Sequence, residues 1–321
     1  MNILHAQVLP DAVLHHTDHG LRHPQAIYAV SFLRVTAAFV AVLDALENVR
    51  CTELTEYGEP VFNTAPVLTA QVELLEAIFA HIDDCYHILK ALHPPVAMKT
   101  PPRFAERWLA EARHPTAKAF GQAVARFREE TLAPIVTRVK HEHGRIRSVV
   151  LYGPSLLLPG YYLEGVDAKG ALGPDLLVHP GNTALSYHRD LRYRLTSVYV
   201  IGEQLRVAVV GALRKQYGIS QLPVQCVAPE DPHVEQVAER VSALPFLFFP
   251  DEVSKPVPAV DVRHDADDTQ LTIVHPSTRV PSVPPDARIN TTVSGDGVTR
   301  SWRFPYATFA AASFAAASVK R

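Results

Sequence analysis

The spacing of apolar residues divides the chain into a helical first part and a second part in which strands appear. From residue 24 to residue 147, apolar positions recur every three or four residues, which is the period of a helix with one buried face. This pattern predicts four helices, over residues 26–50, 67–92, 104–113 and 116–143. Pro134 is expected to kink or interrupt the fourth helix, because proline donates no backbone hydrogen bond and clashes with the preceding turn.

After residue 147 the apolar runs become short and are separated by proline and glycine, which is typical of strands and turns. Strands are predicted over residues 148–152, 160–166, 176–179, 246–249 and 271–274. Residues 288–293 and 298–304 flank the sequence SGDG, which indicates a hairpin. Two further segments, 187–217 and 233–244, have the pattern of helices.

The predicted fold class is therefore α+β, in three parts. Residues 1–23 are expected to form a flexible polar leader, residues 24–147 an all-helical bundle, and residues 148–321 a mixed domain of helices and strands. Four helices of these lengths can bury a shared apolar seam as a bundle. The role of the second domain does not follow from its sequence.

Composition indicates the cellular compartment in which the protein is expected to work. Its three cysteines lie far apart and form no CxxC motif, which favours a reducing, cytoplasmic environment. The N-terminus lacks the pattern of a signal peptide, and no run of about 20 uninterrupted apolar residues predicts a membrane span. We therefore expect a soluble protein that binds no membrane. The formal charge is −2 with neutral histidines, and protonation of all 16 histidines would bring it to +14, so local patches indicate the partner better than net charge does.

The end of the fourth predicted helix carries six potential cations within ten residues and a single acid, Glu142. The cations are Arg138, Lys140, His141, His143, Arg145 and Arg147. Such a cluster attracts phosphate groups and offers them guanidinium contacts, so Lys140, His141, Arg145 and Arg147 are candidate substrate-binding residues. The alternative interpretation is a solvated basic helix end that only offsets the helix dipole.

Arg138 and His143 are the candidate catalytic residues of this cluster. An imidazole can take the proton of a ribose 2′-hydroxyl or protonate the leaving 5′-oxygen, and a guanidinium can stabilise the charge that develops on the phosphate, without a metal ion. On a straight α-helix, residues five positions apart point about 140° away from each other. The pair is therefore expected to meet where the helix ends, or across the axis of a dimer.

The segment from Arg138 to His143, with the sequence RVKHEH, resembles the Arg-x4–6-His motif of the HEPN superfamily, which consists of all-helical domains. The resemblance covers roughly residues 24–147. It implies a metal-independent endoribonuclease that acts on RNA as a homodimer, with roles in toxin–antitoxin or antiphage systems. In such a protein, the second domain would recognise a trigger, a substrate or an inhibitory partner protein.

Three polar residues on the second predicted helix are supporting candidates. His81, Asp84 and His87 recur at three-residue spacing, and Asp84 could orient an imidazole in the same cleft. The alternative interpretation is that they are surface or helix-pairing residues.

Two other segments carry weaker signals. His15, His19 and His23 lie four residues apart and could form a metal-binding face, but Gly20 disfavours a helix there, so we expect no metal and no other cofactor. The stretch YHRDLRYR at residues 187–194 interleaves aromatic and basic residues as base-stacking surfaces do. Its alternative is an amphipathic helix in which Asp190 pairs with Arg194.

The leading hypothesis from the sequence is an endoribonuclease of HEPN type that uses Arg138 and His143. The second hypothesis is a non-catalytic module of the same kind that binds nucleic acid or protein. Val139 favours the second, because a polar residue commonly follows the motif arginine in the family. A third hypothesis is a metal-dependent hydrolase that uses the histidine-rich leader.

Overall fold

The computed structural model describes residues 9–154, 156–220, 233–264, 269–276, 283, 287–295 and 297–306. Over these residues it is a mixed α+β protein with seven helices and a curled sheet. The helices are α1 Pro24–Glu47, α2 Ala65–Ala91, α3 Ala105–Glu111, α4 Pro115–Phe127, α5 Ala133–His141, α6 Tyr187–Tyr217 and α7 His233–Ala243. The strands are β1 Cys51–Leu54, β2 Pro60–Phe62, β3 Ile146–Gly153, β4 Leu156–Val166, β5 Leu172–Pro174, β6 Leu185–Ser186, β7 Ala259–His264, β8 Thr269–Val274, β9 Ile289–Gly295 and β10 Val298–Phe304.

The largest sheet has the strand order β3-β4-β5-β10-β9, with β6 paired to β4. Its pairs are antiparallel apart from β5 with β10, which run parallel and join at Trp302 and Leu172. β9 and β10 form the hairpin that the SGDG sequence predicts. The hairpins β1-β2 and β7-β8 stand outside this sheet.

One hydrophobic core runs through both parts of the chain. It contains residues of α1 to α5 together with Tyr161 of β4 and the buried side of α6. α6 packs on α4 and α2, and α7 packs on α1. The largest sheet begins at Ile146, close to the predicted boundary at residue 148, whereas the apolar core continues across that boundary.

The expectation of an all-helical bundle over residues 24–147 is wrong in one respect. α1 ends at Glu47, and the hairpin β1-β2 lies between α1 and α2. The first helix therefore ends three residues earlier than its apolar spacing predicts. The HEPN-like character of the bundle stays a prediction.

Two predicted strands are also absent. Residues 176–179 form a turn instead of a strand, because the Asp175 carboxylate and carbonyl accept the backbone N–H groups that a strand would need for its ladder. Residues 246–249 lead into a short 3-10 turn at Pro250–Glu252, where the Glu252 carboxylate accepts the Phe249 N–H. In both places an acidic side chain satisfies the backbone locally.

Pro134 interrupts the fourth predicted helix as expected. α4 ends at Phe127, a π-helical turn covers Arg128–Leu132, and α5 begins at Ala133 with Pro134 in its first turn. The helical hydrogen-bond pattern changes at this wider turn, just before Pro134, which has no backbone N–H to donate.

The predicted flexible leader is wrong for residues 9–23, while residues 1–8 lie outside the described residues. Leu9 is buried in the core. The His15 ring lies 3.0 Å from the Tyr217 hydroxyl, and His19 Nε2 donates to the His93 carbonyl at 2.8 Å. Histidines of this segment thus attach it to the helices.

Three helices, α1, α2 and α6, are long and apolar enough to cross a membrane by length and composition alone. At least half of the most apolar window of each helix is buried inside the protein.

Candidate functional site

The C-terminus of α5 determines where the two predicted catalytic residues lie. The Arg138 carbonyl accepts hydrogen bonds from the N–H groups of Glu142, at 3.0 Å, and Gly144, at 2.8 Å. These bonds end the helix and leave His143 in the left-handed region, with φ of 56°. His143 is exposed.

Arg138 is held by carboxylates of its own chain. Its Nη1 donates to Asp175 Oδ2, and its Nε lies 3.8 Å from Glu142 Oε2. Asp175 is nearly buried, with a side-chain exposure of 9%, so this ion pair is partly shielded from water. Arg138 lines a cavity beside β5, and His143 does not line that cavity.

Two more of the six cations in the predicted basic patch pair with carboxylates, so that half of the patch is neutralised. Lys140 Nζ lies 3.3 Å from Glu76, and Arg147 Nε donates to Glu164 at 2.8 Å. Among the described residues, His141, His143 and Arg145 have no carboxylate within ion-pair distance. The unpaired cations of the patch are therefore fewer than the sequence suggests.

A cavity of about 570 Å³ brings together two of the predicted residues, His87 and His141. We call it the histidine pocket. α2, α3, α5 and the π-helical turn form it. Its lining residues are Phe79, Asp83, Tyr86, His87, Arg103, Phe104, Ala105, Glu106, Arg107, Arg128, Thr137 and His141.

Helical periodicity explains why these side chains converge. Asp83 and His87 are four residues apart on α2, and Thr137 and His141 are four residues apart on α5, so each pair shares one helix face. α2 and α5 pack against each other. His87 is half-exposed and His141 is exposed, so both imidazoles are accessible from solvent.

Three arginines give the histidine pocket its positive charge. Arg128 Nη1 donates to Glu106 at 2.7 Å, and its guanidinium lies 5.5 Å from the centre of the Phe79 ring. Arg107 lies over the ring of Phe104, 5.9 Å from its centre. Arg103 is exposed, and among the described residues no carboxylate pairs with it.

Burial changes the acidity of two groups in the pocket. It raises the pKa of the Asp83 carboxyl above its usual value, although the positive charge of Arg128 opposes this shift. Burial also raises the pKa of Tyr86 to about 12, so its hydroxyl stays protonated and can donate a hydrogen bond. The pocket thus holds hydrogen-bond donors around two imidazoles.

Asp84 and His81 lie outside the histidine pocket. Asp84 accepts from Arg34 at 2.7 Å, and its other oxygen lies 3.8 Å from His87 Nδ1, which is beyond hydrogen-bond distance. Burial would raise the pKa of Asp84, but favourable contacts with His87, Ser31 and Arg34, including the positive charge of Arg34, outweigh it and hold that pKa below its usual value. His81 is fully buried and bonds to Ser31 at 2.9 Å, so it is part of the core.

The two weaker signals have structural explanations. Arg194 and Asp190 form a buried ion pair at 3.1 Å in α6, which is the amphipathic-helix alternative for residues 187–194. The described His, Cys, Asp and Glu side chains form one group with metal-ligand spacing, Glu235, Glu239 and His264, all exposed. The leader histidines do not form one.

Sequence reasoning missed five residues of the histidine pocket that can act on a ligand. They are Asp83, Tyr86, Arg103, Arg107 and Arg128. The four-residue spacing of Asp83 and His87 was a usable signal. The sequence carries no such signal for Arg128, because the direction of its side chain depends on the π-helical turn.

Comparison with family models, with curated proteins and with solved structures finds no match for this chain.

Proposed function

We propose that this protein is a metal-independent endoribonuclease and that RNA is cleaved in the histidine pocket. The observation that carries the proposal is the convergence of two accessible imidazoles, His87 and His141, with three arginines in one cavity. Two imidazoles can act as the base and the acid of one reaction. The guanidiniums supply positive charge where the transition state needs it.

The chemistry follows from these groups. One neutral imidazole takes the proton of the ribose 2′-hydroxyl, and that oxygen attacks the adjacent phosphorus. The second imidazole, protonated, gives its proton to the leaving 5′-oxygen. The bond from phosphorus to the 5′-oxygen breaks, and the products are a 2′,3′-cyclic phosphate and a free 5′-hydroxyl. Arg103, Arg107 and Arg128 stabilise the charge that builds up on the non-bridging oxygens.

An aromatic residue at the rim of the pocket supports RNA as the substrate. Phe104 is 59% exposed, and the Arg107 guanidinium lies over its ring. An exposed ring beside arginines can stack a base while the arginines hold the adjacent phosphate. The mechanism also needs a 2′-hydroxyl, which DNA lacks.

The proposal keeps the activity that the HEPN resemblance implies and assigns the acid and base to His87 and His141. Asp175 already holds Arg138, which supports a structural role for that arginine. His143 remains exposed, and a HEPN-type pair would require it to meet an arginine in a homodimer. A role in toxin–antitoxin or antiphage defence, with an inhibitory or sensor protein as partner, belongs to the same proposal.

The test is cleavage of a fluorescently labelled single-stranded RNA, with chelator present, by matched variants. We expect His87→Gln and His141→Gln each to lower the rate about 100-fold or more, because each removes a general acid or base. His143→Gln is the matched control and should cleave like the wild type. Loss of cleavage in His143→Gln and Arg138→Gln, with full activity in His87→Gln, would assign catalysis to the HEPN-type pair instead.

The second candidate function is RNA binding without cleavage. The observation that favours it is the rim formed by Phe104, Arg107 and Arg103, which can bind single-stranded RNA without the imidazoles. Wild-type protein that binds RNA, loses affinity steeply with added salt and cleaves nothing would select this function.

A further inference from the structure

A second cavity, of about 350 Å³, lies where the end of α5 meets β5 and the end of β10. We call it the arginine–aspartate pocket. It is lined by Arg138, Gly165, Val166, Asp167, Ala168, Ala171, Gly173, Pro174, Asp175, Leu176, Leu177, Asn182 and Arg303. It shares none of these residues with the histidine pocket. Its volume lies within the range of small-molecule sites, about 300–1,000 Å³.

Two ion pairs line the arginine–aspartate pocket, and their carboxylates are already occupied. Asp175 accepts the N–H of Leu177 on one oxygen and Arg138 on the other. Asp167 accepts the N–H groups of Lys169 and Ala171, both within 2.9 Å, on one oxygen. Its other oxygen lies 2.8 Å from Arg303 Nη2. The carboxylate oxygens of the pocket therefore already accept hydrogen bonds from donors of the protein itself.

The donors of the pocket are not used up. Each guanidinium has five N–H groups, and the contacts with Asp175, Glu142 and Asp167 use only part of them. Asn182 is 94% buried, and in the described part of the chain no acceptor bonds to its Nδ2. A buried amide group without a partner costs free energy, so an acceptor brought by a ligand would relieve that cost.

The backbone is shaped to let these groups approach each other. A Cβ atom at Gly165 would lie 2.8 Å from Asp175 Oδ2, which is too close for any other residue to fit without a shift. Asn182 adopts φ of 62°, in the left-handed region that favours glycine. Asparagine tolerates this conformation and, unlike glycine, supplies an amide.

We propose that the arginine–aspartate pocket binds the terminal phosphate of a small phosphate monoester. The unused donors come from three separate groups, Arg138, Arg303 and Asn182. A terminal phosphate has three oxygens to match them, whereas a carboxylate has two. The two aspartates hold the guanidiniums in place, so little side-chain freedom is lost on binding.

Carboxylates pair with both arginines: Asp175 and Glu142 with Arg138, and Asp167 with Arg303. The site therefore selects by hydrogen bonding more than by net charge. A paired guanidinium still donates charge-assisted hydrogen bonds to a phosphate. Binding is therefore expected to depend on the shape of the oxyanion and to change less with salt than binding to an unpaired arginine cluster. This site goes beyond the proposed ribonuclease function and does not depend on it.

The test is isothermal titration of the whole protein, at constant ionic strength, with inorganic phosphate, AMP and acetate. Two variants remove one donor group each. Asn182→Gly keeps the left-handed conformation, and Arg303→Gln leaves Asp167 bonded to its loop N–H groups. Arg300→Gln is the matched control, because Arg300 is exposed on the same strand and does not line the pocket.

We expect AMP and phosphate to bind saturably and acetate at least tenfold more weakly. Asn182→Gly and Arg303→Gln should each weaken phosphate binding about tenfold, which is the effect of losing one hydrogen bond to a charged group. Arg300→Gln should leave it unchanged. The proposal is overturned if phosphate does not bind saturably, if acetate binds as well as phosphate, or if both folded variants bind like the wild type. Circular dichroism of each variant shows that it is folded.

Discussion

Arg138 shows how one side chain takes a role that sequence alone does not indicate. Its spacing from His143 predicts catalysis, but its guanidinium donates to Asp175, whose side chain is 9% exposed. A buried carboxylate that loses its partner keeps the cost of its own desolvation. Arg138 therefore attaches the end of α5 to the segment that follows β5.

This role predicts that Arg138→Gln lowers the free energy of unfolding by about 1–3 kcal/mol. The lower part of that range allows for the partial exposure of Arg138, since water screens such a pair. Urea denaturation measures the effect. The double variant Arg138→Gln with Asp175→Asn should recover part of the loss. Arg145→Gln, at an exposed residue to which the described part of the chain offers no ion pair, should lose nothing measurable. Equal stability of Arg138→Gln and wild type would leave the arginine free for catalysis.

At the scale of elements, apolar spacing predicts those helices and strands whose ends carry local signals. α6 spans Tyr187–Tyr217 as expected because Gly218, with φ of 71°, ends it in the left-handed conformation. The hairpin β9-β10 likewise forms around its glycine-containing turn. The strand predicted at residues 176–179 fails because Asp175 captures the backbone, which is a contact that periodicity cannot reveal.

The histidine pocket was predictable only in part, for a similar reason. His87 and His141 were both candidates, since each stands on a helix with a polar face. That they face one cavity depends on how α5 leaves the π-helical turn at Arg128–Leu132 and packs on α2. A sequence pattern gives the face of each helix but not the rotation between two helices.

The attachment of residues 9–23 predicts a local response to acid. His93, whose carbonyl accepts from His19, stacks on His114 with ring centres 3.6 Å apart. Burial, with a smaller contribution from the charge of His114, lowers the pKa of His93 to about 4. The folded state therefore favours neutral His93, and its full contribution to stability is present above pH 6.5. That contribution is lost as the pH falls from 6.5 towards 4.

We expect the amide protons of residues 9–23 to lose protection from hydrogen exchange as the pH is lowered through this range. The cost is at most about 3 kcal/mol, because a pKa lowered from 6.5 to about 4 corresponds to that free energy and solvent screening at the site reduces it. His93→Phe keeps the stacked ring and removes the titration, so its segment should stay protected at pH 5. The same acid response in wild type and His93→Phe would exclude His93 as the cause.

At the scale of the whole molecule, the shared core decides whether the two predicted domains can exist apart. α6 belongs to the second part of the chain, yet Leu191, Leu205 and Val209 on it have no exposed surface and join the core of α1 to α5. α4 packs on α6 so closely that a Cβ atom at Gly211 would touch Thr116. Side chains of α6, in the strand-containing part of the chain, thus cover one side of the core of the helical part.

A fragment of residues 1–147 is therefore expected not to fold by itself. Each large apolar side chain that loses its cover costs about 1.5–3 kcal/mol, and several such losses equal the entire stability of a typical domain, about 5–15 kcal/mol. The fragment should show helical circular dichroism without a cooperative melting transition, and it should regain one when residues 148–321 are supplied on a second chain. A dispersed NMR spectrum and a sharp unfolding transition for the isolated fragment would instead establish an independent helical domain. In that case the HEPN-like unit predicted from residues 24–147 would be a module of its own, and the histidine pocket, which lies entirely within it, would be expected to cleave RNA without the rest of the chain.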